Sequence, residues 1–185
     1  MRRLMPRPRL APSLVLVSLL GASAAWGADE GASWVDVSPP GEPFRVQMPA
    51  APEKRVKETS TFVGTVKDVS YRAKRGEAVF LATRVDLPGV ATFFMSDESL
   101  LGNIRDSFLE KGNGTEKSYV DIERDGHDGK KLDFIMNNKP TGPEDARAEF
   151  FLVGGRMVSF TDIVPRGHSM ADVDRFLGSI DILED

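Results

Sequence analysis

The chain has 185 residues, no cysteine, 24 basic and 28 acidic side chains, and a net charge of −4. Residues 1–27 carry four arginines and no acid, so the remaining ~158 residues hold a net charge of about −8, which argues against nucleic acid or an anionic membrane as the main partner. Without cysteine there is no disulfide, no thiol chemistry and no lipid-modified cysteine, and a domain of that size is stabilised by packing alone.

The N-terminus reads as a secretory signal. Arg2, Arg3, Arg7 and Arg9 form a basic region, residues 14–20 a short apolar core, and small residues follow. Cleavage is expected between Gly27 and Ala28, with Ala24/Ala25 as the alternative. The apolar run is too short and too interrupted by Pro12 and Gly21 for a membrane anchor. Residues 28–185 are then expected to form one α+β domain in an extracytoplasmic compartment, periplasmic or secreted.

Along that domain the pattern is first one of strands. Residues 34–37 form a short extended segment stopped by Pro39-Pro40-Gly41, and residues 44–48 alternate apolar and polar up to Pro49. A polar strand follows over 55–62, and Gly64 marks a turn. Val69, Tyr71 and Ala73 alternate with polar neighbours. After a hairpin connection at 74–77, Val79, Leu81, Thr83, Val85 and Leu87 line one face of a longer strand.

The clearest helix spans 96–112. Ser96 is a favourable N-cap with Asp97 and Glu98 in the first turn, where the helix dipole favours acids. Leu100, Ile104 and Phe108 recur every fourth residue, and Leu101 widens the stripe toward an arc of roughly 100°. Gly112 after Lys111 suits a left-handed C-terminal cap. Beyond it, residues 118–136 read as a hairpin turning at 125–129, residues 137–145 as the longest loop, and residues 146–163 as a second hairpin turning at Gly154-Gly155. Ser169 with Asp172 predicts a capping box for a second helix bearing Met170, Val173, Phe176 and Leu177. Residues 180–182 form a last short strand. Hairpins imply a mainly antiparallel sheet, and two amphipathic helices need sheet faces to cover.

Several of these segments carry a resemblance. Phe44-Arg45-Val46-Gln47-Met48-Pro49 with Pro52, Gly126 and Gly129-Lys130-Lys131-Leu132, Gly155-Arg156-Met157-Val158, and Phe176-Leu177 with Ser179-Ile180 resemble, in order and spacing, a group of small exported bacterial domains of unknown function. These are similar in layout to the photosystem accessory subunit PsbP and to a Ran-binding nuclear-transport factor. The resemblance implies an α-β-α sandwich and a non-enzymatic accessory or binding role. It transfers no binding residue.

Candidates for chemistry each have a plainer explanation. Asp121, Glu123 and Asp125 before Gly126 match the first half of an EF-hand loop, but Leu132 stands at the twelfth position, where a bidentate glutamate is needed. A solvated hairpin explains them. His127, taken to sit at a turn tip, and His168, before a helix cap, lie in no metal-ligand or triad spacing. No GxSxG or SxxK motif is present, no pattern implies a cofactor, and Asn113-Gly114-Thr115 is a formal glycosylation sequon. The apolar segment 90–95 is the remaining feature. Phe93, Phe94 and Met95 lead into the helix, and Leu109 lies about 80° outside its apolar stripe, so these four mark an expected partner or ligand surface. The reading is a non-catalytic accessory or binding module whose partner is a protein or a small apolar ligand. The alternatives are a carrier with a cavity lined by Leu81, Phe108 and Phe134, and a carboxylate enzyme, which requires two acids converging in one pocket with raised pKa values.

Overall fold

The computed structural model describes residues 33–61, 64–89, 95–167 and 169–183. The expected signal segment 1–27, Phe62, Phe93, Phe94 and His168 lie outside them. Among the described residues, ten strands and two helices follow one another: β1 (Val35–Val37), β2 (Phe44–Met48), β3 (Glu53–Thr61), β4 (Gly64–Arg75), β5 (Ala78–Asp86), α1 (Asp97–Gly112), β6 (Thr115–Arg124), β7 (His127–Met136), β8 (Glu144–Val153), β9 (Arg156–Pro165), α2 (Ala171–Gly178) and β10 (Asp181–Ile182). Seven strands form one antiparallel sheet in the order β3-β4-β5-β9-β8-β7-β6, and β1-β2-β10 form a second, three-stranded one.

Side chains alternate across a strand, and the large sheet is apolar on both faces along its central strands. Val79, Leu81 and Val85 of β5 join Leu132, Phe134, Ala146, Ala148 and Phe150 in one core with Leu101, Ile104 and Phe108 of α1. The intervening residues Phe80 and Ala82, with Tyr71, Phe151, Val158 and Phe160, form a second core with β2 and with Val173, Phe176 and Leu177 of α2. Aromatic edges knit this second core: Phe44 meets Phe160 at 5.4 Å and Phe80 meets Phe176 at 5.3 Å between centroids. Val79, Leu81, Val85 and Leu87 share one face as expected, and the alternate residues Phe80 and Ala82 are buried on the other. The register of β5 with both β4 and β9 makes it an interior strand, covered on each side.

Turn chemistry explains the hairpins. Gly154 and Gly155 both have positive φ (55° and 76°), as do Asp125 and Gly126 (51° and 78°), the geometry that matches strand twist in a two-residue loop. The β6–β7 turn is thus two residues long, shorter than the expected 125–129, and His127 is the first residue of β7, opposite Arg124. The helix ends differ from expectation as well. Ser96 does cap α1, accepting from the Ser99 amide, but the left-handed residue is Asn113 (φ 45°) rather than Gly112. Gly112 is required for closeness instead: a Cβ there would stand 3.1 Å from Met136 Cγ. At α2 the capping box does not form. Met170 occupies the cap with no side-chain bond, and the Ser169 hydroxyl accepts only from the Ala171 amide. Among the described residues no helix is long and apolar enough to cross a membrane.

Candidate functional site

Of the four residues expected to mark an apolar surface, Phe93 and Phe94 lie outside the described residues. Met95 is half-buried just ahead of the Ser96 cap. Leu109 is half-buried and packs against the α1-side core. The reason is the helix end: the left-handed Asn113 turns the chain back so that the Gly114 amide donates to the Leu109 carbonyl at 2.6 Å, and a Cβ on Gly114 would stand 3.1 Å from Leu109 Cδ2. The exposed large apolar residues among those described are Val56 and Val120, on the outer strands β3 and β6. Leu81, Phe108 and Phe134 are buried together in the α1-side core, and Phe134 also borders the cavity beside α2. Phe108 stacks on Phe150 at 5.9 Å and meets Phe134 edge-on at 6.2 Å.

A cleft of about 540 Å³ opens where α1 begins. Asp97, Glu98 and Leu101 form one wall, Asp121 and Ile122 another, and Gly126 to Lys130 the base of the β6–β7 hairpin. Lys130 organises the cleft. Its ammonium lies 2.6 Å from Asp121 and 3.0 Å from Glu98, and 5.3 Å from the Tyr119 ring centroid. Hydrogen bonds to Asp121 and then Glu98 raise the Lys130 pKa above its ordinary value. The acids of the EF-hand-like run therefore go separate ways: Asp121 serves Lys130, whereas Asp125 accepts from the Ile182 amide at 2.8 Å and ties the hairpin to β10. Asp97, Glu98, Asp121 and Asp128 against the single Lys130 leave the cleft negative.

A second cavity, about 250 Å³, lies on the opposite face of the sheet beside α2. Register places a row across five strands: Phe80 of β5, Asp162 of β9, Arg147 of β8, Asp133 of β7 and Ser118 of β6. Asp162 is 1% exposed, and neither carboxylate oxygen has a hydrogen-bond partner. Burial, reinforced by the charge of Asp133, pushes its pKa up to about 7 against the opposing pull of Arg147. Arg147 is itself engaged elsewhere, with Asp133 at 3.5 Å and Asp174 at 3.8 Å. The Ser118 hydroxyl donates to Asp133 at 2.9 Å, and Lys117 pairs with Asp145 at 2.6 Å.

Asp162 was not among the candidates read from the sequence, though one signal pointed to it. It occupies an inward position in the run Val158, Phe160, Asp162, Val164, where every other member is apolar and buried. An acid in such a row is costly to ionise unless something compensates it. Three acids, Asp133, Asp145 and Asp162, thus share this cavity, and burial pushes the pKa of Asp162 up to about 7.

Comparison with known proteins bears on the fold. No protein-family model matches the chain, and no curated protein does either. Among solved structures, the cyanobacterial PsbP (CyanoP) from Synechocystis superposes with a TM-score of 0.54 over 88% of this chain and 98% of that one, at 13% identity. A protein of unknown function from Pseudomonas aeruginosa aligns over 76% and 85% of the two chains at 13% identity, with a TM-score of 0.37, too low to carry an argument. The fold is PsbP-like. At this identity the likeness concerns architecture alone.

Proposed function

We propose that the chain is an exported, non-catalytic accessory module, its two helices flanking the sheet as an α-β-α sandwich, and that it docks a protein partner at the cleft where α1 begins. The observation that carries this reading is the Lys130–Glu98–Asp121 ion triple beside the further acids Asp97 and Asp128 in the same cleft. It holds the helix start and the β6–β7 hairpin in a fixed relation and presents a negative surface suited to basic side chains of a partner. Export is supported by the basic, then apolar, then small-residue order of the first 27 residues. A carrier of an apolar ligand has less support, because the rings between α1 and the sheet stack on one another.

A second reading, a carboxylate enzyme, is favoured by one observation: Asp162 and Asp133 line the same cavity. A carboxyl titrating near neutrality is placed well for general acid–base work. Arg147 stands between the two acids in the register and would have to be displaced for them to act as a pair.

The absence of cysteine permits a clean test of the docking cleft. A single cysteine at Asp128 (D128C) carrying a photo-crosslinker should yield one discrete adduct in the native envelope, and the same label at Glu77 (E77C), on the exposed β4–β5 turn, should not. Equal adducts from both positions, or none from D128C, would defeat the reading.

A further inference from the structure

Beyond the docking cleft, we infer that the Asp162 cavity is a binding site for an alkylammonium group, supplied either by a free amine or by a lysine side chain. The inference starts from an unbalanced group. Asp162 is 1% exposed and both its oxygens lack a hydrogen-bond partner, yet it lines a cavity of about 250 Å³. Buried polar groups are ordinarily paired, and an unpaired buried carboxylate is costly. The cations that line the cavity are already committed, Arg147 to Asp133 and Asp174 and Lys117 to Asp145; Lys131 acts on Asp162 from outside the lining. Among the charges lining the cavity, one carboxylate is left over.

The complement is therefore a single positive charge with several N–H donors. Val164, Ala146 and Met170 add apolar wall beside the acid, which suits an aliphatic stem behind the charged head. The volume equals that of about eight water molecules, enough for a butyl chain with its ammonium. A metal ion fits less well: among the described residues no three His, Cys, Asp or Glu side chains are grouped to hold one. An anion would meet Asp133, Asp145 and Asp162 with only Arg147 and Lys117 in opposition.

Ionisation of Asp162 sets the pH window. The charged groups around it are Arg147 and Asp145 of β8, Asp133 and Lys131 of β7, Lys117 of β6 and Asp174 of α2. A carboxyl with a pKa of about 7 is mostly ionised one unit above that value and mostly neutral one and a half units below it. Ammonium binding is expected to weaken by about thirtyfold between those two conditions.

The test is a two-dimensional NMR titration of the mature chain with n-butylammonium, with n-butanol as the uncharged control. Saturable shifts are expected at Asp162, Arg147 and the Met170 methyl, with no saturation by butanol. Asp162→Asn keeps the side-chain shape and should weaken binding at least tenfold, because a charge-assisted bond is lost, while its circular dichroism stays that of the parent. Two further arms separate the sources: binding of butylammonium but not of a lysine-containing tripeptide indicates a free amine, and tighter binding of the tripeptide indicates a partner's lysine. Equal binding of butanol, unchanged affinity in the Asn variant, or no saturation at the highest soluble amine concentration would each overturn the assignment. Because Asp162 lies on the face opposite the α1 cleft, failure here leaves the crosslinking result at D128C unaffected.

Discussion

Asp162→Asn should make the protein more stable at alkaline pH and leave it no more stable at acid pH. The reasoning follows the proton. In the unfolded chain an aspartate titrates near 3.8, and in the folded chain burial pushes Asp162 up to about 7. Between these values the native state holds a proton that the unfolded state has released, so stability falls as pH rises through the window. Below the lower value the group costs nothing through ionisation; above the upper one the full cost applies. Three pH units at 1.36 kcal/mol each give a penalty of about 4 kcal/mol. Asparagine removes the charge but leaves a buried amide short of partners, which itself costs about 1–3 kcal/mol. The net gain for the variant is then about 1–3 kcal/mol near pH 8, turning into a loss of similar size near pH 4. Urea unfolding of parent and variant across that range measures the difference directly, and the subtraction cancels carboxylates common to both. A difference in stability that stays constant with pH would show that Asp162 does not titrate in this window and would refute the assignment of an unpaired buried acid.

Three other outcomes test the packing. Phe108→Ala removes a fully buried ring stacked on Phe150 and should cost about 3–5 kcal/mol in chemical denaturation, against about 1 kcal/mol for truncating the half-buried Leu109. Gly129→Ala puts a methyl 2.6 Å from Phe151 Cε1 and 2.8 Å from the Phe150 carbonyl oxygen. Because one of these obstacles is backbone, thermal unfolding should register a loss of about 2–3 kcal/mol. Glu42→Ala should cost about 2–3 kcal/mol, since the buried Glu42 joins the Tyr71 hydroxyl at 3.0 Å to the Arg84 guanidinium at 3.1 Å. Tyr71→Phe, which leaves that ion pair intact, should cost about 1 kcal/mol. A larger loss from Tyr71→Phe than from Glu42→Ala would mean that the ion pair does not hold the 39–42 turn to the sheet.

Local patterns carried much of the architecture. Alternation over residues 69–73, 79–87 and 146–152 announced strands because side chains of a strand must part to two faces. Gly154-Gly155 announced its hairpin because two consecutive positive φ angles are cheap for glycine. Ser96, Asp97 and the stripe Leu100, Ile104 and Phe108 announced α1, since cap, dipole and stripe are all interactions within a few residues. Where two residues competed for one role, local reasoning chose wrongly. Gly112 suits a left-handed cap, yet it stays in the helix, close-packed beside Met136, and Asn113 takes the left-handed position.

What the sequence determined by itself is therefore the kind and order of the elements, their turns and the net negative charge, all of which arise from neighbours along the chain. Which strands lie in the middle of the sheet was decided only in three dimensions. That placement buries both faces of β5, brings Lys130 to Glu98 across 32 residues and aligns Asp162, Arg147 and Asp133 in one row from three separate strands. The charge state of Asp162 belongs to the same level. An aspartate has no fixed pKa until its surroundings are known, and those surroundings are set by strand order, by the edge of α2 and by a guanidinium that other acids have already claimed.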